Sequence, residues 1–225
     1  MALIICDTSA LILIAECVGN WRKEEKLSIR LAEAFGENYH LFFHPISVVE
    51  LAGNMHDEIH FRRHRDNEWK EKSKRDARKF EKALIILGTP DDDSGVKLSK
   101  ISKPNKLTLD DDYWPHLTAG RMFYSSLTCD GGEPRHKLAM ADYQIFSLAT
   151  YLKKKREKVD VGIFTGDNEI ITAAVQSRIP WLGVYPNNQV RDWKNCAEDN
   201  SCVRGDSSQG GAGCSQRFGG PNQNN

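Results

Sequence analysis

The side chains best placed to do chemistry in this 225-residue chain are four carboxylates: Asp7, Glu50, Asp142 and Asp167. They are far apart in sequence, yet each stands at the end of an apolar run or near the start of a helical pattern. Asp7 follows the run 2–6 (ALIIC), Glu50 comes shortly after Leu41-Phe42-Phe43, and Asp167 follows the run 159–165. Asp142 interrupts an apolar stripe of Leu138, Ile145, Ala149 and Leu152, whose steps of four, three, four and three mark one face of a helix. Carboxylates gathered without cations raise one another's pKa, so ionised together they need a divalent ion or a cationic partner. An all-oxygen set without histidine suits hard Mg2+ or Mn2+ better than zinc. The chemistry such a set supports is metal-assisted hydrolysis.

For four distant acids to meet, the chain must supply a frame. The run 2–6 is continuously apolar, as in a strand buried on both faces. Asp7-Thr8-Ser9 then offers helix-capping side chains before a helix to Cys17. A second helix runs from Trp21 to Phe35 and stops at Gly36, and a short strand follows at 41–43. After Pro45, Ser47 and Glu50 form a capping-box pattern that predicts a helix opening at Ser47. Residues 159–165 predict a strand, 166–168 a turn, 169–176 a helix and 181–185 a last strand. Alternating strands and helices predict an α/β fold of three layers, with a mostly parallel central sheet flanked by helices. In such sheets ligands bind beyond the carboxyl ends of the strands, where the strand order reverses, and that is where Asp7 and Asp167 fall.

Composition narrows the partners. Lys+Arg and Asp+Glu number 31 each, so a nucleic-acid partner must be met by local basic patches and not by a global field. Six cysteines at 6, 17, 129, 196, 202 and 214 form no CxxC pair and no disulfide framework. The apolar stretch 2–18 is broken by Asp7 and Glu16 and is too short to span a bilayer, so the reading is a protein without membrane association, in a reducing, cytoplasmic setting. Residues 56–82 hold ten Lys/Arg, seven Asp/Glu and three His, and predict a long solvated helix projecting from the core; Gly88 to Asn105 reads as loop. A helix is expected from Thr108 or Asp110 to Phe123. The expected organisation is one domain over 1–194 with a charged, mostly helical insertion at about 56–106. A tail at 195–225, in which Gly, Asn, Ser and Gln fill 18 of 31 positions, reads as disordered.

Four segments, in order, resemble the PIN-domain nucleases, including VapC-type toxins: 3–12 (LIICDTSALI), 46–51 (ISVVEL), 141–149 (ADYQIFSLA) and 163–168 (IFTGDN). The resemblance covers residues 1–55 and about 107–187. It implies that Asp7, Glu50, Asp142 and Asp167 form the metal site, with Thr8, Ser9, Thr165 and Asn168 around the metal ligands or against substrate. It also implies an Mg2+- or Mn2+-dependent endoribonuclease acting on RNA. A toxin role with a cognate antitoxin and a homodimer belong to the same resemblance, while the charged insertion and the tail lie outside the pattern of a compact toxin.

Each residue also has a structural reading. Asp7 can be an N-cap, Asp167 a turn aspartate, Glu50 the capping-box partner of Ser47, and Asp142 the partner of a buried Arg or Lys. The rival function is a catalytically inactive protein of the same fold that binds nucleic acid or serves as a scaffold. His56, His60 and His64 are spaced four apart among Arg62, Arg63 and Arg65. They read as a solvated or nucleic-acid-facing stripe, with the three arginines as contacts to the nucleic-acid backbone, rather than as metal ligands. Cys196, Cys202 and Cys214 lack metal-ligand spacing.

Overall fold

The computed structural model describes residues 1–60, 67–88, 98, 100–117, 140–156, 159–185 and 189–192. Arg62, Arg63, Arg65, His64, Leu138, the stretch 118–123 and the tail with Cys196, Cys202 and Cys214 lie outside the described residues.

The strands are β1 (Ala2–Cys6), β2 (Tyr39–Phe43), β3 (Asn105–Lys106), β4 (Asp160–Thr165), β5 (Trp181–Tyr185) and β6 (Gln189–Asp192). The helices are α1 (Thr8–Cys17), α2 (Trp21–Phe35), α3 (Pro45–His60), α4 (Asn67–Gly88), a short helical stretch over 113–117 termed α5, α6 (Met140–Lys155) and α7 (Asn168–Gln176). One sheet has the order β3-β2-β1-β4-β5-β6, in which β6 alone is antiparallel. The α/β three-layer architecture expected from the sequence is therefore present. β1 pairs with β2 on one side and β4 on the other, with Cys6 opposite both Phe43 and Phe164. The chain leaves β1 toward β2 and β3, then crosses back to β4 and β5, so the order reverses between β1 and β4.

Strand alternation sorts the core into two layers. Ile4, Cys6, Phe164 and Leu182 pack with α1, α2 and α4. Ile5, Ile163 and Trp181 pack on the opposite face with α6 and α7 and with Tyr113 of α5. Each fully buried Leu or Ile adds about 1.5–3 kcal/mol, and β1 is buried at every position. Gly162 lies where α2 crosses the sheet: an added Cβ would stand 2.4 Å from Phe35 Cε1 and 3.1 Å from Ile4 Cδ1.

Four expectations are corrected. The helix after β2 opens at Pro45, not at Ser47. Proline suits a first helical position because its missing N–H has no intrahelical role there. His44 acts in place of Ser47, its Nδ1 accepting from Ile46 N at 3.0 Å, and Ser47 Oγ is buried without a hydrogen-bond partner, so there is no capping box. The charged segment does not project. α4 lies against α1 and α3, burying Ser73, Ala83 and Ile86. Residues 83–87, apolar and just beyond the charged stretch, continue the same helix and supply the contact surface. Finally, β5 is followed by a further strand, β6, and the short edge strand β3 begins at Asn105, the last residue of a stretch read as loop.

Replacing Gly162 with alanine drives a methyl into the Phe35 ring. The expected cost is about 1–3 kcal/mol of stability in denaturant unfolding, and an unchanged midpoint would contradict the close approach of α2 to the sheet.

Candidate active site

β1 and β4 end side by side, and the residues that leave them turn over the same edge. Asp7 is the N-cap of α1, in extended backbone, and its Oδ1 accepts from Ala10 N at 2.8 Å and Ser9 Oγ at 2.7 Å. Its Oδ2 accepts from Thr165 Oγ1 at the end of β4. Thr165 Oγ1 also accepts from Asp167 N at 2.9 Å, so one buried hydroxyl fixes both turns. Asp167 is in turn the N-cap of α7, with both Glu169 N at 2.6 Å and Ile170 N at 3.0 Å donating to Oδ1 and neither to Oδ2. The N-cap reading of Asp7 is thus correct, and Asp167 is a cap as well as a turn residue. Capping does not exhaust either carboxylate.

Glu50 comes to the same edge from α3. Its Oε2 accepts from Thr8 Oγ1, a contact 42 residues apart in sequence that replaces the local capping bond. Asp142 lies in the first turn of α6 and is partly exposed, while Ile145, Ala149 and Leu152 of its stripe are buried. α3 and α6 are tied by a hydrogen-bond chain beneath the site. His44 Nε2 lies 3.3 Å from Tyr113 Oη, which donates to the Gln144 carbonyl at 3.0 Å. Because His44 Nδ1 accepts a backbone N–H, the neutral ring carries its proton on Nε2 and donates to Tyr113. Burial holds the His44 pKa down at about 4.

Together these elements line a cleft of about 290 Å³ whose walls include Asp7, Thr8, Ser9, Glu50, Asp142 and Asp167. All four expected acids are there. Gly166 lines it too, and only glycine fits, since a Cβ would stand 2.8 Å from Ser9 Oγ and 2.9 Å from the Val184 carbonyl. Of the expected supporting residues, Thr165 is fully buried behind Asp7. Asn168 is the first residue of α7, exposed and outside the cleft wall. Two residues were not singled out from the sequence. Asn54 lines the cleft one helical turn beyond Glu50, which its i+4 spacing could have indicated. Glu169 acts on Asp142 through its charge.

The acids are electrostatically unsatisfied. Burial, opposed by the three hydrogen bonds and reinforced by the charge of Asp167, pushes the Asp7 pKa up to about 6. Asp142 is pushed up to about 7, first by burial and then by Asp167, Glu50, Asp7 and Glu169. No lysine or arginine lines the cleft, and among the described residues none pairs with the four acids. The buried-cation reading of Asp142 therefore has no partner among them.

The donor set suits Mg2+ or Mn2+ in chemistry: oxygen only, anionic, and lining one open cleft. It is not drawn together as a finished cage, for no three His, Cys, Asp or Glu among the described residues are grouped to hold an ion as they stand. Hydroxyls of Ser9 and Thr165 occupy the Asp7 oxygens, and Thr8 occupies Glu50. His56 and His60 stack at 4.4 Å between ring centroids on α3, outside this cleft. No family model, curated protein or solved structure matches the chain.

The raised pKa values set a pH dependence for the metal-free protein. A carboxyl whose pKa is higher in the folded than in the unfolded chain stabilises the fold while protonated, and that contribution fades as pH rises through the folded value. Between pH 6.5 and 8, above the titration of His44, the metal-free melting temperature is expected to fall as Asp142 ionises. Asp142→Asn should flatten that fall and raise the melting temperature at pH 8. Thermal melts in chelator check this, and a variant less stable than the parent at pH 8 contradicts it.

Proposed function

We propose that this chain is a metal-dependent endoribonuclease of the PIN type, hydrolysing RNA phosphodiester bonds with Mg2+ or Mn2+. The observation that carries the reading is the meeting of Asp7, Glu50, Asp142 and Asp167, from four separate segments, in one cleft at the reversal of strand order with no cation in its walls. The motif order in the sequence agrees with it. Repulsion among these side chains is a standing cost that a nonfunctional cleft would have no reason to keep.

Asp7 and Glu50, each held by a hydroxyl on α1 or β4, are the fixed oxygens that would hold the ion. Asp167 offers Oδ2, since its capping bonds fall on Oδ1. A bound divalent ion supplies charge neutralisation for the scissile phosphate and lowers the pKa of water. Asp142 is the residue suited to orient or deprotonate the attacking water, because it lines the cleft and is not taken up by a hydroxyl or a helix cap as the other three acids are. Attack in line with the leaving oxygen leaves a 5′-phosphate and a 3′-hydroxyl. A toxin role, with an antitoxin that covers this cleft and a homodimer as the assembled form, extends the same proposal.

The open spacing of the acids favours a second reading, an inactive nucleic-acid-binding or scaffold protein on the same fold. One assay separates the two. Labelled RNA and single-stranded DNA are incubated with the full chain in Mg2+, Mn2+ or chelator. Cleavage of RNA that requires metal and falls at least about 100-fold in a folded Asp142→Asn variant is expected. Equal cleavage by the variant rejects the catalytic assignment, and no cleavage by the folded parent favours the scaffold. Growth arrest on expression, relieved by the same substitution, is the expected mark of a toxin.

A further inference from the structure

A second cavity, about 370 Å³ in volume, opens on the other half of α1. It is lined by Lys23 of α2, by Arg78, Lys79 and Lys82 of α4, and by Glu16 of α1. Four cations face one wall carboxylate there, in a protein whose formal net charge is zero. Part of this charge is already used. Lys79 lies 3.5 Å from Glu16 and 3.2 Å from Asp76, and Lys82 donates to the Val18 carbonyl at the end of α1 at 3.3 Å. Lys23 and Arg78 make no ion pair with any described residue and are exposed. The pocket therefore keeps an excess of two cations.

Its position gives that excess a direction. Ile12 lines the acidic cleft and Glu16 lines the basic pocket, four residues apart on the same face of one helix. At 1.5 Å per residue Asp7, at the N-cap, and Glu16 stand about 14 Å apart along α1, about four rises of a nucleic-acid strand at about 3.4 Å each. A phosphate chain can thus enter the acidic cleft at one phosphate and rest another, a few nucleotides along, among lysine and arginine.

We propose that this basic pocket is a second anchoring site for the RNA backbone, binding a phosphate a few nucleotides from the one in the cleft. The inference rests on the nuclease reading for its substrate, but not for its geometry. Lys23 and Arg78 are positioning residues. They grip sequence-blind phosphate and hold the strand in register with the acids. The merely structural alternative, in which the cations only neutralise Glu16, Asp76 and the end of α1, accounts for Lys79 and Lys82, whereas Lys23 and Arg78 act on Cys17 and Glu71 only through longer-range charge and form no ion pair among the described residues.

The test uses the full chain carrying Lys23→Glu with Arg78→Glu. A control with the same charge change, Lys154→Glu with Arg156→Glu, lies at the far end of α6. Binding of a fluorescent single-stranded RNA is followed by anisotropy in chelator across a salt series, with unfolding midpoints checked for each variant. The pocket variant is expected to bind at least about tenfold more weakly than the control, with a salt slope shallower by about 1.4, the value for two lost phosphate contacts on a single strand. With metal, its KM for RNA rises and its kcat stays. Affinity and slope equal to the control's overturn the pocket even if RNA is cleaved. Binding by the parent that the pocket variant loses, in a protein that never cleaves, upholds the pocket and rejects the nuclease. A parent that neither binds nor cleaves RNA rejects both.

Discussion

A carboxylate buried at the end of the central strand is the constraint around which this molecule is arranged. Asp7 is 4% exposed, follows a strand buried at every position, and faces three other acids across a cleft. Raising its pKa from 3.8 to about 6 corresponds to roughly 3 kcal/mol against the charged form. The fold offsets part of this with donors and not with a counter-ion: a backbone N–H at the start of α1, the hydroxyl of Ser9, and that of Thr165 from the neighbouring strand. Neutral donors hold a carboxylate in place without cancelling its charge. A lysine in the same position would have stabilised the fold and removed the site's attraction for a cation.

The same choice recurs outward from Asp7. Thr8 holds Glu50, Thr165 holds the turn that carries Asp167, and two backbone amides hold Asp167 itself. Below them the chain from His44 through Tyr113 to Gln144 ties α3 to α6, so the helices that bear Glu50 and Asp142 cannot drift independently. His44 performs this only while neutral, and its burial among apolar neighbours keeps it so near neutral pH. Acid positions are thus set by neutral groups, and the residual repulsion is concentrated on Asp142, the least constrained of the four.

The frame was legible because its signals were local. An uninterrupted apolar β1, capping side chains at 7–9, Gly36 after α2 and the spacing in α6 each belong to a single element, and each appears where it was expected. What escaped were the choices settled by tertiary contact. Ser47 and Glu50 have the spacing of a capping box, but Pro45 starts the helix two residues earlier, and Thr8 claims Glu50 across the sheet edge. The polarity of 56–82 suggested a free helix because the apolar residues 83–87, which continue the same helix and dock it, lie just beyond that stretch. Asn54 stood within reach of helical spacing from Glu50, whereas Glu169 joins the site through a tertiary placement of α7 that no sequence window contains. Meeting of the four acids was inferred from topology, and their exact separations depend on side-chain donors that topology does not specify.

Charge segregation along α1 is the last consequence of this arrangement. The amino-terminal half of the helix faces acids that lack cations, and the carboxyl-terminal half faces cations in excess of acids. The helix dipole favours Asp7, which caps the first end, and lysine at the second, where Lys82 meets the Val18 carbonyl. A dipole of about half a charge at each end cannot account for four carboxylates and four cations. Nor does stability, since moving either set toward the other would lower the energy of both. Separation of this kind is maintained at a cost, and under the proposed function it would suit a polyanion gripped along its backbone while one of its phosphates is presented, with a metal ion, to the acids.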